Sequence, residues 1–505
     1  MARPNIVLIM ADQLAPQWCG TYGGPGITPH MDALAARGAR FDAAYCNSPL
    51  CAPSRFSFMS GQLPSRIDAF DNAAEFRASV PTFAHYMKSA GYRTCLSGKM
   101  HFVGPDQKHG FQDRVTTDIY PADFAWTPNW EKPDERIDVW YHNMATVKDS
   151  GTAEATYQID YDEEAAFAAR RWLMDRARDK NAGEQTPFML VASYFHPHDP
   201  YVALPQFWDL YDDVEIPLPK VVMSREEQDP GARRVMDGIE ASETELSAQE
   251  VIRARRAYLA NTSYFDSKVG EIVQTLEQIG ELDNTVIIVT SDHGDMLGER
   301  GLWFKMSFFE HSARVPLIVA GPGIAQGQVD APCSLVDLAP TFMEIAGYQG
   351  EVAETLDGRS LLPLAQGETD GGGEAIGEYC AEMTPWPIYM IRRGALKYVH
   401  CDPDPPLLFD VVADPHELQN LAKDPAYAQE AAAFADEVAS RWDSAALRDR
   451  VIQSQKSRVA VNEAMVAGAS THWDYNPPRD ASQEYVRNHL DWVAVAARDR
   501  VQTRR

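Results

Sequence analysis

The sequence predicts an α/β fold: a mixed, mostly parallel sheet flanked by helices, followed by a smaller C-terminal α+β subdomain and an extended tail. Three observations predict it. Short apolar runs bounded by polar residues, at residues 5–12 (NIVLIMAD), 188–195 (FMLVASYF) and 284–290 (NTVIIVT), read as strands buried on both faces. Stretches rich in Ala, Glu and Arg at residues 160–178 and 247–276 lie between them at helix length. The texture changes near residue 366: a glycine triplet at 371–373 precedes alternating patterns at 388–392 and 396–400 and an Ala-rich helix over 427–442. The chain of 505 residues, 45% hydrophobic, is long enough for a large core. It divides into a main domain over residues 1–365, an antiparallel-sheet subdomain over 366–450 and a tail over 451–505.

In order, the first strand delivers Asp12 at its carboxyl end. Residues 28–37 (TPHMDALAAR) form a short helix, with Thr at its start, Pro in its first turn and Gly38 just beyond it. A strand over 39–45 leads into residues 47–66, NSPLCAPSRFSFMSGQLPSR. There Pro53 disfavours helix at Ala52, while residues from Ser54 onward have helical character. Cys51 is therefore expected at or near a helix N-terminus, a position that favours negative charge. Residues 82–90 read as a helix closed by Gly91, and 92–97 as a strand ending in Gly98-Lys99-Met100-His101. The irregular, aromatic stretch 103–150, with Trp126, Trp130, Trp140, Tyr141 and His142, is of the kind that builds substrate pockets or lids. The strand at 188–195 exits through His196-Pro197-His198-Asp199-Pro200, where open α/β sheets bind ligands. Ser247 and Glu250 open the next helix as a capping box, and the strand after it ends in SDHGD at 291–295. Trp303-Phe304-Lys305, a strand over 315–319 and a helix over 337–347 complete the main domain. The tail, with Trp473, Tyr475, Tyr485 and Trp492, is too aromatic for disorder and is expected to pack on another surface, a neighbouring subunit's included.

Composition narrows the function. With 73 acidic against 46 basic residues and a net charge of −27, the chain repels nucleic acid and anionic membranes, so neither is an expected partner. No apolar run reaches the roughly 18 residues of a membrane span. The first strand begins after only Met-Ala-Arg-Pro, with no leader-like segment, and the seven cysteines are odd in number and irregularly spaced. Both features predict free thiols and a cytoplasmic protein.

Asp12 and Asp292, each at the carboxyl end of a buried strand, make with His293 a carboxylate-rich set that suits a hard divalent cation. Cys51 alone would be an ordinary buried thiol. However, Cys51-Ala52-Pro53-Ser54-Arg55 resembles the C-x-P-x-R signature of type I sulfatases. Residues 5–12, 291–295 and 407–422 (LLFDVVADPHELQNLA) are similar, in order and spacing, to the sulfatase branch of the alkaline phosphatase superfamily. The resemblance covers nearly the whole chain, and residues 47–66, 71–76 (DNAAEF) and 472–492 are most similar to its choline-sulfatase branch.

The resemblance implies an alkaline-phosphatase-like fold and oxidation of Cys51 to formylglycine by a formylglycine-generating or other sulfatase-maturing enzyme. Its hydrate carries one hydroxyl to attack sulfur and a second to expel sulfate, which splits one hard step into two. Arg55 would hold the diol and offset charge beside it. One divalent metal ion is implied, Ca²⁺ first with Mg²⁺ and Mn²⁺ as alternatives, ligated by Asp12, Cys51, Asp292 and His293. Gln13 stands where many sulfatases carry a second acid. Lys99, Lys305 and Arg55 would offset charge on the sulfuryl oxygens, His198 or Lys305 would protonate the departing alkoxide, and His101 would be the base that releases sulfate. Asn72, Trp126, His142 and Glu382 are implied as contacts to a small sulfate ester carrying a quaternary ammonium. Asp491 and Trp492 join them if a second subunit closes the pocket, and a homodimer or homotetramer is expected. A phosphonate monoester hydrolase or phosphodiesterase, or a broad arylsulfatase, would use the same site. A non-catalytic binding protein would need neither the motif nor the acids.

Overall fold

The computed structural model describes residues 3–133, 141–369, 372–470 and 472–478, together with 491, 493, 494, 500 and 501. Trp140, Gly371, Tyr485 and Trp492 lie outside the described residues. The central sheet has eight strands: β1 (Asn5–Asp12), β2 (Ala39–Phe41), β3 (Arg93–Gly98), β4 (Asp113–Arg114), β5 (Phe188–Pro197), β6 (Thr285–Ser291), β7 (Leu317–Ala320) and β8 (Gly327–Val329). Their order across the sheet is β8-β2-β7-β6-β1-β5-β3-β4. The pairs β1–β5, β1–β6, β3–β5, β3–β4 and β2–β8 are parallel, and β7 runs antiparallel to both its neighbours. The expected mixed, mostly parallel sheet is therefore present. Every residue of β1, β5 and β6 is buried, which is why these strands read as continuous apolar runs without alternation.

Strand register, more than strand count, positions the functional side chains. Ala11 pairs with Ser291, Asp12 with Pro197, and Gly98 with Ser193. Four adjacent strands, β6, β1, β5 and β3, thus finish at one edge and hand over Asp292, Asp12, His198 and Lys99 side by side. Gly98 has φ +95°, and a Cβ there would meet the Ser193 carbonyl oxygen at 1.8 Å, so only glycine lets β3 come this close to β5 before Lys99.

Helices cover both faces. Tyr157–Asn181 and Ala248–Ile279 pack on β5 and on each other, with Ser247 and Glu250 forming the expected capping box. The helix α1 (Cys51–Ser60) packs against the helices Phe83–Ser89 and Leu338–Ile345 and is buried at all ten positions. It begins at Cys51, three residues before the Ser54 start that Pro53 predicts. Pro53 occupies the third helical position, where the missing N–H has no intrahelical partner to lose. The strand expected over 39–45 is two pieces, Ala39–Phe41 and Ala44–Tyr45.

The C-terminal sheet, Glu374–Tyr379, Ile388–Arg393, Leu396–Cys401 and Leu407–Asp410, is antiparallel throughout and is backed by the helix Ala428–Arg441. A second helix, α2 (Ser444–Val466), comes after it and runs across residue 450, so residues 451–466 belong to a helix that crosses the expected start of the extended tail. A smaller core joins these parts: Tyr389, Ile391 and Tyr398 of the sheet meet Leu447 and Val451 of α2, together with Phe70 and Trp130 from loops of the main domain. Among the described residues, no helix is long and apolar enough to cross a membrane.

Candidate active site

The carboxyl edge of the sheet and the N-terminus of α1 meet at Cys51, which is 1% exposed. Its Sγ lies 3.2 Å from His293 Nε2, 3.6 Å from Lys305 Nζ and 3.8 Å from Asp12 Oδ1. The first turn of α1 lacks a side-chain cap from Leu50, and Asn72 supplies the missing acceptor: its Oδ1 takes the Ala52 N–H at 3.0 Å. Burial, followed by the charge of Asp12, pushes the Cys51 thiol up to about 12, so the unmodified group stays protonated.

Asp12, Cys51, Asp292 and His293 form a cluster in which one ligand atom from each lies within 4.8 Å of all the others. His293 Nδ1 faces the Gly294 carbonyl at 3.0 Å, and donating there leaves Nε2 as a lone pair aimed at the cluster. Two carboxylates, one imidazole lone pair and a position for an oxygen on residue 51 fit a hard divalent cation. Arg55 locks the acids in place from behind, its Nε donating to Asp292 Oδ2 at 2.8 Å and its NH2 to Asp12 Oδ2 at 2.9 Å. Its NH1 reaches the Lys99 carbonyl and Ser193 Oγ. Lys99 pairs with Asp12 Oδ2 and sits 4.2 Å over the Tyr120 ring. Burial alone would raise the Asp12 carboxyl, but the positive charges of Lys99 first and then Arg55 hold it well below the usual range. Burial pushes Asp292 up to about 6 against the opposing pull of Arg55.

Gln13 does not turn its amide to the cluster. Its Oε1 accepts from Lys305 Nζ at 2.6 Å and its Nε2 donates to Asp295 Oδ2 at 2.7 Å, so the amide that replaces a second acid orients Lys305. Lys305 Nζ also donates to His198 Nε2 at 2.7 Å, while His198 Nδ1 faces the Asp199 carbonyl at 2.6 Å. That geometry makes His198 a neutral acceptor and Lys305 the holder of the proton. His101 is buried with neither ring nitrogen hydrogen-bonded among the described residues. It meets Trp126 edge-on at 5.7 Å. Left-handed backbone at non-glycine residues gathers here, at Gln13, His101, Phe304, Met306 and Met383, as strained positions do around working sites.

Of the expected substrate contacts, partly exposed Trp126 also packs against Tyr120, and His142 stacks on Phe304 at 4.7 Å and lies 5.5 Å from His198. Glu382 is 4% exposed, and its Oε2 has no hydrogen-bond partner among the described residues. Burial, with Asp71 adding to it and Lys305 opposing, pushes its carboxyl up to about 7. Asp491 is exposed and accepts the N–H groups of Val493 and Ala494. Sequence reasoning missed Asp199 and Asp295, the acids that hold His142 and Gln13, although each stands within a motif it had singled out. Ser193 and Tyr120 gave no signal, being ordinary in their segments.

Comparison with known proteins shows the family. The sulfatase profile matches residues 4–348, one for the N-sulphoglucosamine sulphohydrolase C-terminus matches 298–442, and one for the choline sulfatase C-terminus matches 449–501. The chain is 50% identical over 497 residues to a choline-sulfatase of Rhizobium meliloti, covering 97% of this chain and 96% of the relative. It is 30% identical over 473 residues to an N-acetylglucosamine-6-O-sulfatase of Bacteroides thetaiotaomicron, covering 85% and 84%. Among solved structures, a phosphonate monoester hydrolase of Agrobacterium radiobacter superposes with a TM-score of 0.68 at 23% identity, covering 89% of this chain and 96% of that one. A phosphonate monoester hydrolase from Silicibacter pomeroyi does so with a TM-score of 0.68 at 24% identity, covering 86% and 94%. These two likenesses concern the fold.

Proposed function

The chain belongs to the sulfatase family and is a sulfuric ester hydrolase, and from that premise we propose that its substrate is choline sulfate, cleaved to choline and inorganic sulfate. The observation that carries this reading is Glu382, a buried carboxylate within electrostatic reach of Lys305 whose Oε2 no described group satisfies. Such a carboxylate is costly unless a cation meets it. A trimethylammonium accepts no hydrogen bond, so it is recognised by a negative charge and by aromatic faces, here Glu382 with Trp126 and His142. The relative at 50% identity supports the same substrate.

When bound, a divalent metal would supply Lewis-acid activation of a hydroxyl on the formylglycine hydrate that a maturing enzyme makes from Cys51. Asp12, Asp292 and His293 would hold the ion, and their oxygen-rich set favours Ca²⁺, with Mg²⁺ or Mn²⁺ as alternatives. The chain's own residues do the rest. Lys99 and Arg55 bring positive charge to the position of the sulfuryl oxygens, where one well-placed donor is worth roughly 3–4 kcal/mol. Lys305, fixed by Gln13 and His198, offers its proton to the leaving alkoxide, which alkyl esters require. His101, with both nitrogens free of protein hydrogen bonds among the described residues, takes the proton whose removal releases sulfate. Asn72 anchors the first turn of α1 and borders the substrate.

All seven cysteines are unpaired and buried, which supports a reducing compartment, the cytoplasm. Exposed Val459, Val461, Val466 and Val493 along the C-terminal segment support self-association as a dimer or tetramer, the arrangement in which exposed Asp491 would reach a neighbour's pocket.

The test compares kcat/KM on choline sulfate, a neutral aryl sulfate and a phosphonate monoester, and preference for either of the last two would overturn the reading. Glu382→Ala is expected to lower kcat/KM on choline sulfate by about 10- to 100-fold, the loss of roughly 1–3 kcal/mol from a half-desolvated ion pair. The aryl ester, which makes no such pair, should change little. Because the ester's cation binds ionised Glu382, kcat/KM for choline sulfate should fall as pH drops through about 7. That limb should vanish in Glu382→Gln, and an unchanged limb there would assign it to another group.

A further inference from the structure

One face of α2 reaches the chain neighbours of three proposed substrate contacts. Arg458, 5% exposed, clamps fully buried Asp71 with two parallel bonds, NH1 to Oδ1 at 2.6 Å and NH2 to Oδ2 at 2.7 Å. Its NH1 extends to Thr127 Oγ1 at 3.3 Å. Asp71 directly precedes Asn72, and Thr127 directly follows Trp126. One turn earlier on the helix, Gln455 Oε1 accepts the Trp130 N–H at 2.9 Å, and the Trp130 indole N–H donates to the Ala381 carbonyl at 2.7 Å, one residue before Glu382. Leu447 and Val451 extend the same face into the core shared with Phe70 and Trp130. Positions 447, 451, 455 and 458 follow helical spacing, so a single stripe carries all four contacts.

We propose that Gln455 and Arg458 are positioning residues that set the geometry and charge of the cation pocket, making the C-terminal helix a specificity element within its own subunit. The proposal rests on the choline reading of Glu382, Trp126 and Asn72. Its physics lies in the fork: a guanidinium holds both oxygens of Asp71 in one plane, which an ammonium cannot do, and so fixes the turn that presents Asn72. It also neutralises Asp71. Among the described residues, Asp71, Lys305 and the Tyr379 hydroxyl are the titratable groups that face Glu382, with Tyr379 donating to the Glu382 carbonyl. Without Arg458, a second buried carboxylate beside Glu382 would draw the ammonium out of place and raise the pH at which Glu382 ionises.

The experiment uses matured, metal-loaded enzyme and the variants Gln455→Ala, Arg458→Lys and Arg458→Met, each assayed on choline sulfate and a neutral aryl sulfate across neutral pH. Gln455→Ala and Arg458→Lys are expected to raise KM for choline sulfate about tenfold with kcat little changed, and to alter kcat/KM for the aryl ester less than about threefold. Arg458→Lys should keep the parent's acid limb, since the charge remains. Arg458→Met should move that limb to higher pH for choline sulfate alone. Should Arg458→Met fail to fold, because breaking a buried pair leaves Asp71 uncompensated, the other two variants still decide. Equal losses on both esters, or a parent-like KM for choline sulfate in both milder variants, would overturn the proposal and make α2 a structural prop. Failure of the choline reading shows separately, in the parent, as no preference for choline sulfate. That result would overturn this proposal as well, since the pocket it describes would hold no cation.

Discussion

Cys51→Ala should abolish turnover, lowering kcat by about 10⁵-fold or more, the scale on which removal of a catalytic nucleophile acts. No described neighbour can stand in for it: the groups closest to Sγ are the His293 imidazole, the Lys305 ammonium and the Asp12 carboxylate, each already committed to another partner. The fold should survive. The substitution removes a single sulfur atom from a helix start that Asn72 caps through Ala52, not through residue 51, and a small cavity there costs about 1–2 kcal/mol. The measurement pairs saturating kcat on choline sulfate with a thermal melt. Residual turnover near one per cent of the parent in a well-folded variant would remove Cys51 from the chemistry. Intact mass of the peptide spanning Cys51 in the parent reports its conversion to formylglycine.

How much of the fold and site was legible in the sequence depends on how local each signal is. Strands β1, β5 and β6 announced themselves because they are buried on both faces, and the residues after such strands must emerge at the sheet edge. Asp12, His198 and Asp292 were therefore placed correctly at one end without knowledge of strand order. Direction was not legible: the run at 315–319 looks like the others, yet β7 is antiparallel, and a strand apolar on both faces carries no mark of its sense. The start of α1 was misjudged because Pro53 lies in a first turn, where its usual penalty disappears. Gln13 marked the place of a missing second acid but its role was not legible, because its amide is bound to Lys305 and Asp295, residues distant in sequence. The pocket's support was the least visible. Arg458 and Asp71 lie 387 positions apart, and nothing in an arginine on an unremarked helix points to an aspartate so remote.

Asp12→Asn is expected to have the second largest effect, lowering activity by about 10³-fold, and its decisive readout is the metal itself. Asp12 serves two sides at once: it lies in the four-residue cluster, and its Oδ2 pairs with both Arg55 and Lys99. An asparagine there withdraws one negative charge from an ion held by hard oxygen ligands and leaves two buried cations undercompensated. The stability cost of such a broken buried network is about 3–5 kcal/mol. Asp292→Asn should be milder for folding. Its remaining side-chain oxygen can still accept the backbone N–H groups of Gln13 and His293, and Arg55 keeps Asp12 as a partner. Both variants should lose metal. An ion that binds only the native state raises stability by RT ln(1 + [M]/Kd), so added Ca²⁺ should lift the Tm of the metal-stripped parent and lift either variant far less. Comparing the two separates the roles: Asp12→Asn should begin from a lower Tm than Asp292→Asn, while both show a blunted response to metal. A parent-like Tm shift on adding Ca²⁺, in either variant, would show that the substituted carboxylate does not hold the ion.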